Sequence, residues 1–519
     1  MVRERTKWDA LWQELKDLVR PDTADFSGGT NRAADSRRKI FDGTAPWALE
    51  QLSAGLHSYL TSPVDRWFSL GVVGTPYDQL DFDAKAWLEQ ASDTIYSHFS
   101  NPFASFNPCL HELYLDLSAF GTGVIYEWLE PETQNLMFRS YPLADCWVEE
   151  DSAGHVVRVH RKIKWTCEQL CQEFGELPEK LKRMKMEDTV VVIHAVYPRD
   201  QRDPMMKTAT NKAYASVYVC QDTSETLSES GYDQMPYHVP RWSKMAGEIY
   251  GRSPALSVFP EIRMVNAMSK TLIVAAQKIV DPPLAIPDDG FMLPIKQTPG
   301  GLNFFRAGTE EIKPIMSGGR IDIGVDMIEQ RREVIRRGFY VDWLVRPTKK
   351  ERQTAQEIMD DRNQMLSMMG PIVGRLQAEL LGPIVRLSYH LLARRGLLPP
   401  MPGSLDGAEL ELVYISPAAK AQSTVRGQGV QSYVQQLTQL LPVMPNLLDS
   451  IDEDGLNAEL QDITDVPRRV LLDPSAAAKK RQAREQQQQL AQAVQAGPAA
   501  AKTAKDFADA QQKGMQLGL

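Results

Sequence analysis

The run from Ile249 to Pro287, IYGRSPALSVFPEIRMVNAMSKTLIVAAQKIVDPPLAIP, constrains the fold of this 519-residue chain more than any other stretch. Its start is readable. Ser253 is a good helix cap, and Pro254 follows at the first helical position, where its missing N–H costs nothing. Pro260 is harder to place inside a helix, so regular helix is expected from there to Val280. Apolar residues recur at Ile262, Val265, Leu272, Ala276 and Ile279, with Ser269 the one polar member of the series. Arg263, Asn266, Lys270 and Gln277 mark another face. Asp281-Pro282-Pro283 ends the helix, because proline restricts its predecessor and cannot extend the ladder. About twenty residues make a rod of roughly 30 Å. Taken alone, the segment reads as an ordinary core helix.

The chain is too long for one ordinary domain, so about two to four structural units are expected. Hydrophobic residues at 43% and aromatics at 8% can fill substantial cores. A net charge of −9 argues against a protein built to hold nucleic acid tightly, since neutralising phosphates takes clustered Lys and Arg. Sliding contact stays open. The five cysteines (Cys109, Cys146, Cys167, Cys171, Cys220) are scattered. Cys167 and Cys171 stand four apart, a helical spacing unlike the Cys-x-x-Cys of redox or zinc sites, so reduced thiols and no metal are expected. The opening MVRERTKWDALWQELKDLVRPD is charged throughout and has no signal-like apolar core. No run reaches the ~18 apolar residues of a membrane span. A soluble intracellular protein with no membrane span is the expectation.

Along the chain, Trp8, Leu11, Leu15 and Leu18 predict a first helix stopped by Pro21. A second starts near Thr44 and buries Leu49, Leu52, Leu56 and Leu60; further helices are expected over Ala84–Phe99 and Leu110–Ala119. Gly121-Thr122-Gly123 then leads into a strand. Alternation from Met137 to Ile163 reads as strands, Thr166–Phe174 as a short capped helix, and Asp188–Tyr197 as the strongest strand signal. Turn-rich residues 198–248 complete a β-rich insertion between helices. A helix over Gly324–Arg337 follows, then a helical region over Thr354–Leu392 that Gly370-Pro371 and Gly382-Pro383 should kink or break. A strand over Glu411–Ile415 and a helix over Val425–Leu441 belong to a mixed region. The Ala/Gln-rich tail from Ser475 is either a helix with little apolar face or a disordered extension. The class is α+β and mainly helical.

The catalytic inventory is thin. No Gly-x-x-x-x-Gly-Lys-Ser/Thr loop, Gly-x-Gly-x-x-Gly, His-Glu-x-x-His or Gly-x-Ser-x-Gly occurs. His57, His98 and His111 read as packing or surface residues. No catalytic, cofactor-binding or metal residue is assigned. Asp452-Glu453-Asp454 is an acidic run without calcium-loop spacing. The loop carrying Arg346, Lys349, Lys350 and Arg352 either approaches a phosphate backbone or is simply solvated. The cluster Arg331, Arg332, Arg336 and Arg337 reads as an intersubunit ion-pair face, with Asp326, Glu329 and Glu333 beside it.

Five collinear stretches carry a resemblance: RRKIFDGTAPWALEQLSAGLHSYLTSPVDRWFSL (Arg37–Leu70), DLSAFGTGVIYEW (Asp116–Trp128), IYGRSPALSVFPEIRMVNAM (Ile249–Met268), RPTKKERQTAQEI (Arg346–Ile358) and LVYISPAAKAQ (Leu412–Gln422). Together they resemble the portals, or head-to-tail connectors, of T7-like short-tailed bacteriophages. The resemblance implies a ring of twelve subunits at one capsid vertex, through which double-stranded DNA passes during packaging and ejection. It implies a portal fold of wing, helical stem, β-rich clip and crown, with a helical barrel at the C-terminal end. By that likeness, 1–165 and 283–400 are wing, 166–185 and 249–282 the two stem helices, 186–248 the clip, 401–474 the crown and 475–519 the barrel or tail.

In the same reading Ile262, Val265, Leu272, Ala276 and Ile279 pack against neighbouring stem helices, while Arg263, Asn266 and Lys270 face the channel or a polar seam. Arg346, Lys349, Lys350 and Arg352 fall in a DNA-facing tunnel loop near 342–352. Partners implied are further copies of the chain, DNA, terminase, the tail adaptor or tubular protein, scaffolding and major capsid proteins, and internal core proteins. The location implied is the virion, after synthesis in the host bacterial cytoplasm. Two rivals stand beside it. An adaptor ring is disfavoured by length, and a packaging enzyme or nuclease by the absent motifs.

Overall fold

A computed structural model describes residues 1–26, 37–75, 77–175, 178–203, 206, 208–285, 308, 313–314, 321–344, 369–415 and 479–484. They fall into two compact units, one of 1–67 with 95–395 and one of 68–94 with 396–519. The helices are α1 (Val2–Leu18), α2 (Thr44–Leu60), α3 (Phe82–Ser100), α4 (Phe106–Phe120), α5 (Cys167–Phe174), α6 (Glu179–Lys182), α7 (Pro254–Ser257), α8 (Phe259–Val280), α9 (Ile321–Gly338), α10 (Val341–Leu344) and α11 (Gly382–Arg394). The strands are β1 (Phe68–Val72), β2 (Ile125–Leu129), β3 (Leu136–Ser140), β4 (Cys146–Glu150), β5 (Val156–Thr166), β6 (Thr189–Pro198), β7 (Tyr214–Cys220), β8 (Thr226–Tyr232), β9 (Tyr237–His238), β10 (Leu284–Ala285), β11 (Lys313–Pro314) and β12 (Leu410–Tyr414).

In the larger unit the first helix buries Arg5, Trp12, Leu15 and Lys16, with Trp8, Leu11 and Leu18 of the leucine series half-buried. Both cations are satisfied inside. Arg5 donates to the carbonyls of Ala144 and Cys146 and lies 4.2 Å over the Trp147 ring, while Lys16 reaches Asp25 at 2.6 Å. Their alkyl stems therefore pack as core. Trp12 completes an aromatic cluster with Phe26 and Tyr250 at 5.3 and 5.0 Å and donates to the Phe120 carbonyl. Helix α2 buries Leu49, Leu52 and Leu56 as their spacing predicts, with Leu60 only half-buried.

The strands of this unit form a three-stranded sheet, β3-β2-β9, and an antiparallel five-stranded sheet, β4-β5-β6-β7-β8. Strand β6 alternates as a half-covered strand should, burying Val190, Val192, His194 and Val196. Within the expected β-rich insertion at 186–248, strands β6–β8 continue the sheet begun by β4 and β5, and β9 pairs with β2. The stretch 166–185 is not one continuous helix. Thr166 and Gln169 cap each other reciprocally, as Thr166 foreshadows, but α5 has eight residues and α6 is one further turn. Leu170 and Leu181 pack onto Val190, Val192 and Cys220, so these turns cover the sheet.

At Gly382-Pro383 the regular helix is interrupted but not ended. A π-helical turn over Gln377–Leu381 stands immediately before it. Proline lacks an N–H and would crowd the carbonyl one turn back; widening that turn relieves both. Gly370-Pro371 lies in helix at the edge of the described residues.

In the smaller unit β1 and β12 pair antiparallel, with Phe68 opposite Tyr414 and Val72 opposite Leu410. Ser92 accepts from the Leu70 amide at 2.9 Å and donates to the Leu88 carbonyl, tying β1 to α3. Trp87 donates to the Pro399 carbonyl at 3.0 Å. Among the described residues no helix is long and apolar enough to cross a membrane.

Candidate assembly and channel site

The segment that opens the sequence argument folds as its caps dictate. Ser253 accepts from the Leu256 amide at 3.0 Å to start α7, and α8 begins at Phe259 with Pro260 in its first turn. Burial then fades along the rod. Ile262, Val265 and Ser269 are buried, Leu272 is half-buried, Ala276 is exposed, and Ile279 is 46% and Val280 86% exposed. The apolar stripe thus leaves the core half-way along the helix, and its outer end is exposed among the described residues.

The packing partner of α8 is α9. A Cβ added at Gly324 would lie 3.3 Å from Leu272, so the two helices approach closely there. Glu261 of α8 pairs with Arg331 of α9. The arginine cluster on α9 is consumed within the chain: Arg332 meets Asp42 at 2.6 Å and Glu329 at 3.2 Å, and Arg336 meets Glu329 and Glu333 at 3.0 and 3.3 Å. Arg337 meets Glu333 at 3.3 Å and Asp342 at 3.8 Å. Glu329 and Glu333, two of the carboxylates expected beside the cluster, are among these partners. The charges alternate at helical spacing, so Arg332, Arg336 and Arg337 each find a carboxylate on their own helix, while Arg331 reaches across to α8. Burial works to raise the Asp42 pKa, but hydrogen bonds from Thr44 and Arg332 outweigh it and hold the carboxyl below its ordinary range.

Arg263, Asn266 and Lys270 meet residues 14–41 of the same chain. Asn266 accepts from the Phe41 amide at 2.7 Å and donates to the Lys39 carbonyl at 2.9 Å. Lys270 sits 5.4 Å over the Phe41 ring, and Arg263 pairs loosely with Glu14 at 3.7 Å. Asn266 thus stitches the segment before α2 onto α8.

Two stretches far apart in sequence anchor this helix by interlocking. A Cβ on Gly121 would lie 2.4 Å from the Gly251 carbonyl oxygen, and one on Gly251 would lie 2.2 Å from that of Gly121. Gly121 also has φ +83°, a left-handed conformation that favours glycine. Around them Gly251 N–H donates to Thr122 Oγ1 at 2.8 Å, and Ser253 Oγ to the Ala119 carbonyl at 2.8 Å. Beside this junction Arg241, 2% exposed, grips Glu379 through both Nε and Nη2 and also pairs with Glu150, which Lys244 holds at 2.7 Å. Glu379 sits in the π-helical turn, so the widened turn presents the carboxylate that neutralises a buried arginine.

A second buried carboxylate, Glu127, accepts from Ser388 at 2.6 Å and lies 3.0 Å from His238 Nε2. Burial pushes its pKa up, against the pull of those two hydrogen bonds. The three residue types are those of a hydrolase triad, but the carboxylate stands in the middle. No histidine is placed to take the serine proton, so the arrangement is an anchor between β2, β9 and α11. No group of His, Cys, Asp and Glu able to hold a metal occurs among the described residues.

Sequence reasoning found α8, its cap and its stripe. It missed α9 as the partner of α8, and it missed the Arg241 and Glu127 hubs, whose members are separated by up to 261 positions. Gly251 and the Gly121-Thr122-Gly123 turn were the available signal. Arg346, Lys349, Lys350 and Arg352 lie outside the described residues, as do Asp452-Glu453-Asp454, the expected helix Val425–Leu441 and nearly all of the tail.

A family model described as bacteriophage head to tail connecting protein matches residues 1–471. The probable portal protein of Bordetella phage BPP-1 is 29% identical over 515 residues, covering 94% of this chain and 90% of the relative. The portal protein of Salmonella phage epsilon15 is 27% identical over 530 residues, covering 98% and 94%. That of Enterobacteria phage T3 is 24% identical over 397 residues, covering 71% and 70%.

Proposed function

The chain belongs to the bacteriophage head to tail connecting protein family, and from that membership we propose that it works as a phage portal: a ring at one capsid vertex that passes DNA and carries the tail. The observation that carries this reading is the family match over 1–471 together with portal relatives aligned along almost the whole chain. Its role is structural. The buried Ser, His and Glu groups are arranged as anchors, and no nucleotide-binding motif occurs in the sequence.

Within that reading the stem is the pair α8 and α9, in place of the α5 segment expected from the sequence. Supporting this, α8 and α9 pack side by side, while α5 lies on the five-stranded sheet. The residues between α8 and α9 then take the place of the clip, and the basic loop with Arg346, Lys349, Lys350 and Arg352 follows α9 directly enough to serve as the tunnel loop. The outer half of α8, with Ile279 and Val280 exposed beside Leu272 and Ala276, is the surface that neighbouring subunits would cover in a ring of twelve. Residues 401–474 as crown, 475–519 as barrel, and terminase, adaptor, scaffolding, capsid and core proteins as partners complete the proposal. Negative-stain microscopy of the purified chain with an ATPase assay tests it. Radial rings with a central hole and no turnover are expected; a monomer that hydrolyses nucleotide would overturn it.

A further inference from the structure

We propose that the cleft between β2 and α11 is a docking site for an acidic peptide segment carrying a bulky apolar side chain, supplied by a partner protein. The cleft encloses about 510 Å³, within the range of sites that take a small ligand or a side chain with its flanking backbone. Trp128, Leu129, Pro236, Leu387 and Leu391 supply apolar walls. The mouth is cationic. Asp233 must serve both Arg394 and Lys212, the latter at 3.5 Å, and Arg395 beside them makes no ion pair among the described residues. One carboxylate against three cations leaves a surplus for a partner's acids.

The floor does not oppose this. Glu127 lines the cleft, but its carboxyl is engaged by Ser388 and His238 from within. The site therefore offers charge at one end and apolar surface at the other. A nucleic acid fits that pattern poorly, because phosphate recognition spreads cations along a track. An amphipathic peptide fits it, with its apolar side chain between Trp128 and Leu391 and a carboxylate on Arg395.

Fluorescence anisotropy of the full-length chain with a labelled Asp-Phe-Glu-Leu-Asp peptide and its neutral analogue Asn-Phe-Gln-Leu-Asn tests the proposal. The acidic peptide should bind at least about tenfold tighter than the neutral one, and Arg395→Glu should weaken it by about tenfold. Arg395 is exposed, so this variant should melt as the parent does; Leu391→Asp probes the apolar wall independently. Equal binding of the two peptides, or unchanged binding in Arg395→Glu, would overturn the proposal. So would preferential displacement by a single-stranded oligonucleotide, which would make the cleft a nucleic-acid site. A shift in sedimentation of Arg395→Glu without loss of peptide binding would assign the cleft to a second copy of the chain and equally sink it. Ring formation is read separately by sedimentation, so failure here leaves the portal reading untouched.

Discussion

At the residue scale, Gly121 and Gly251 show how one absent atom can set a fold. Each backbone occupies the space where the other's Cβ would be, so Gly251→Ala should cost more than about 3 kcal/mol, measured by chemical denaturation. A loss below ~1 kcal/mol would mean that the junction gives way easily. Asp116 makes a second residue-scale prediction. Burial raises its pKa to about 6 from 3.8, despite the neighbouring Arg20. A raised carboxyl favours the folded state fully below the unfolded value and loses that contribution as pH rises through the folded one. Stability should therefore fall between pH ~4 and ~6 by on the order of 2–3 kcal/mol from this group, and Asp116→Asn should flatten that part of the profile. An unchanged pH profile in the variant would show that Arg20 compensates fully. Neither residue could be singled out from sequence. Gly121 lies in a recognisable Gly-Thr-Gly, but the carbonyl that excludes its side chain comes from 130 positions later. The buried Arg5 and Lys16 misled in the opposite sense, since charged side chains normally mark the outside of a helix.

At the scale of elements, periodicity read the interior of α8 and the caps read its ends, yet neither identified its neighbour. The partner α9 follows after some forty residues, and packing at Gly324 and the pair Glu261–Arg331 help join them. The burial gradient separates two kinds of substitution. Ile279→Asp should leave far-UV circular dichroism and melting of the single subunit unchanged while abolishing rings in sedimentation. Leu272→Asp should abolish rings as well and, because Leu272 also packs beside Gly324, lower subunit stability by about 2–3 kcal/mol. Rings of normal mass from both variants would return α8 to the ordinary core helices. The π-helical turn supplies another test. Glu379→Ala strips Arg241 of its bidentate partner in a site 2% exposed and should cost about 3–5 kcal/mol. Glu379→Gln, which can still accept one hydrogen bond, should cost less; equal losses would show that the turn matters for its shape alone.

At the scale of the whole molecule, charge is the property that sequence and function share. A net −9 per chain, multiplied around the proposed ring, makes an acidic particle, suited to passing DNA without trapping it. A few cations on a loop would then guide the polymer. Reversing Lys349 and Lys350 to Glu should lower DNA retention and packaging yield in assembled particles without changing ring formation; unchanged retention would remove the loop from the channel. The caps at Thr166 and Ser253 and the periodicity of α8 were legible in the sequence, because each depends on residues within a few positions of one another. The grouping of β4–β8 into one sheet, the pairing of α8 with α9, the interlocked glycines and the carboxylates that neutralise Arg241 were settled by tertiary structure alone. Those features depend on which distant backbone fills a given volume and which distant charge is desolvated beside it, and local pattern carries no record of either.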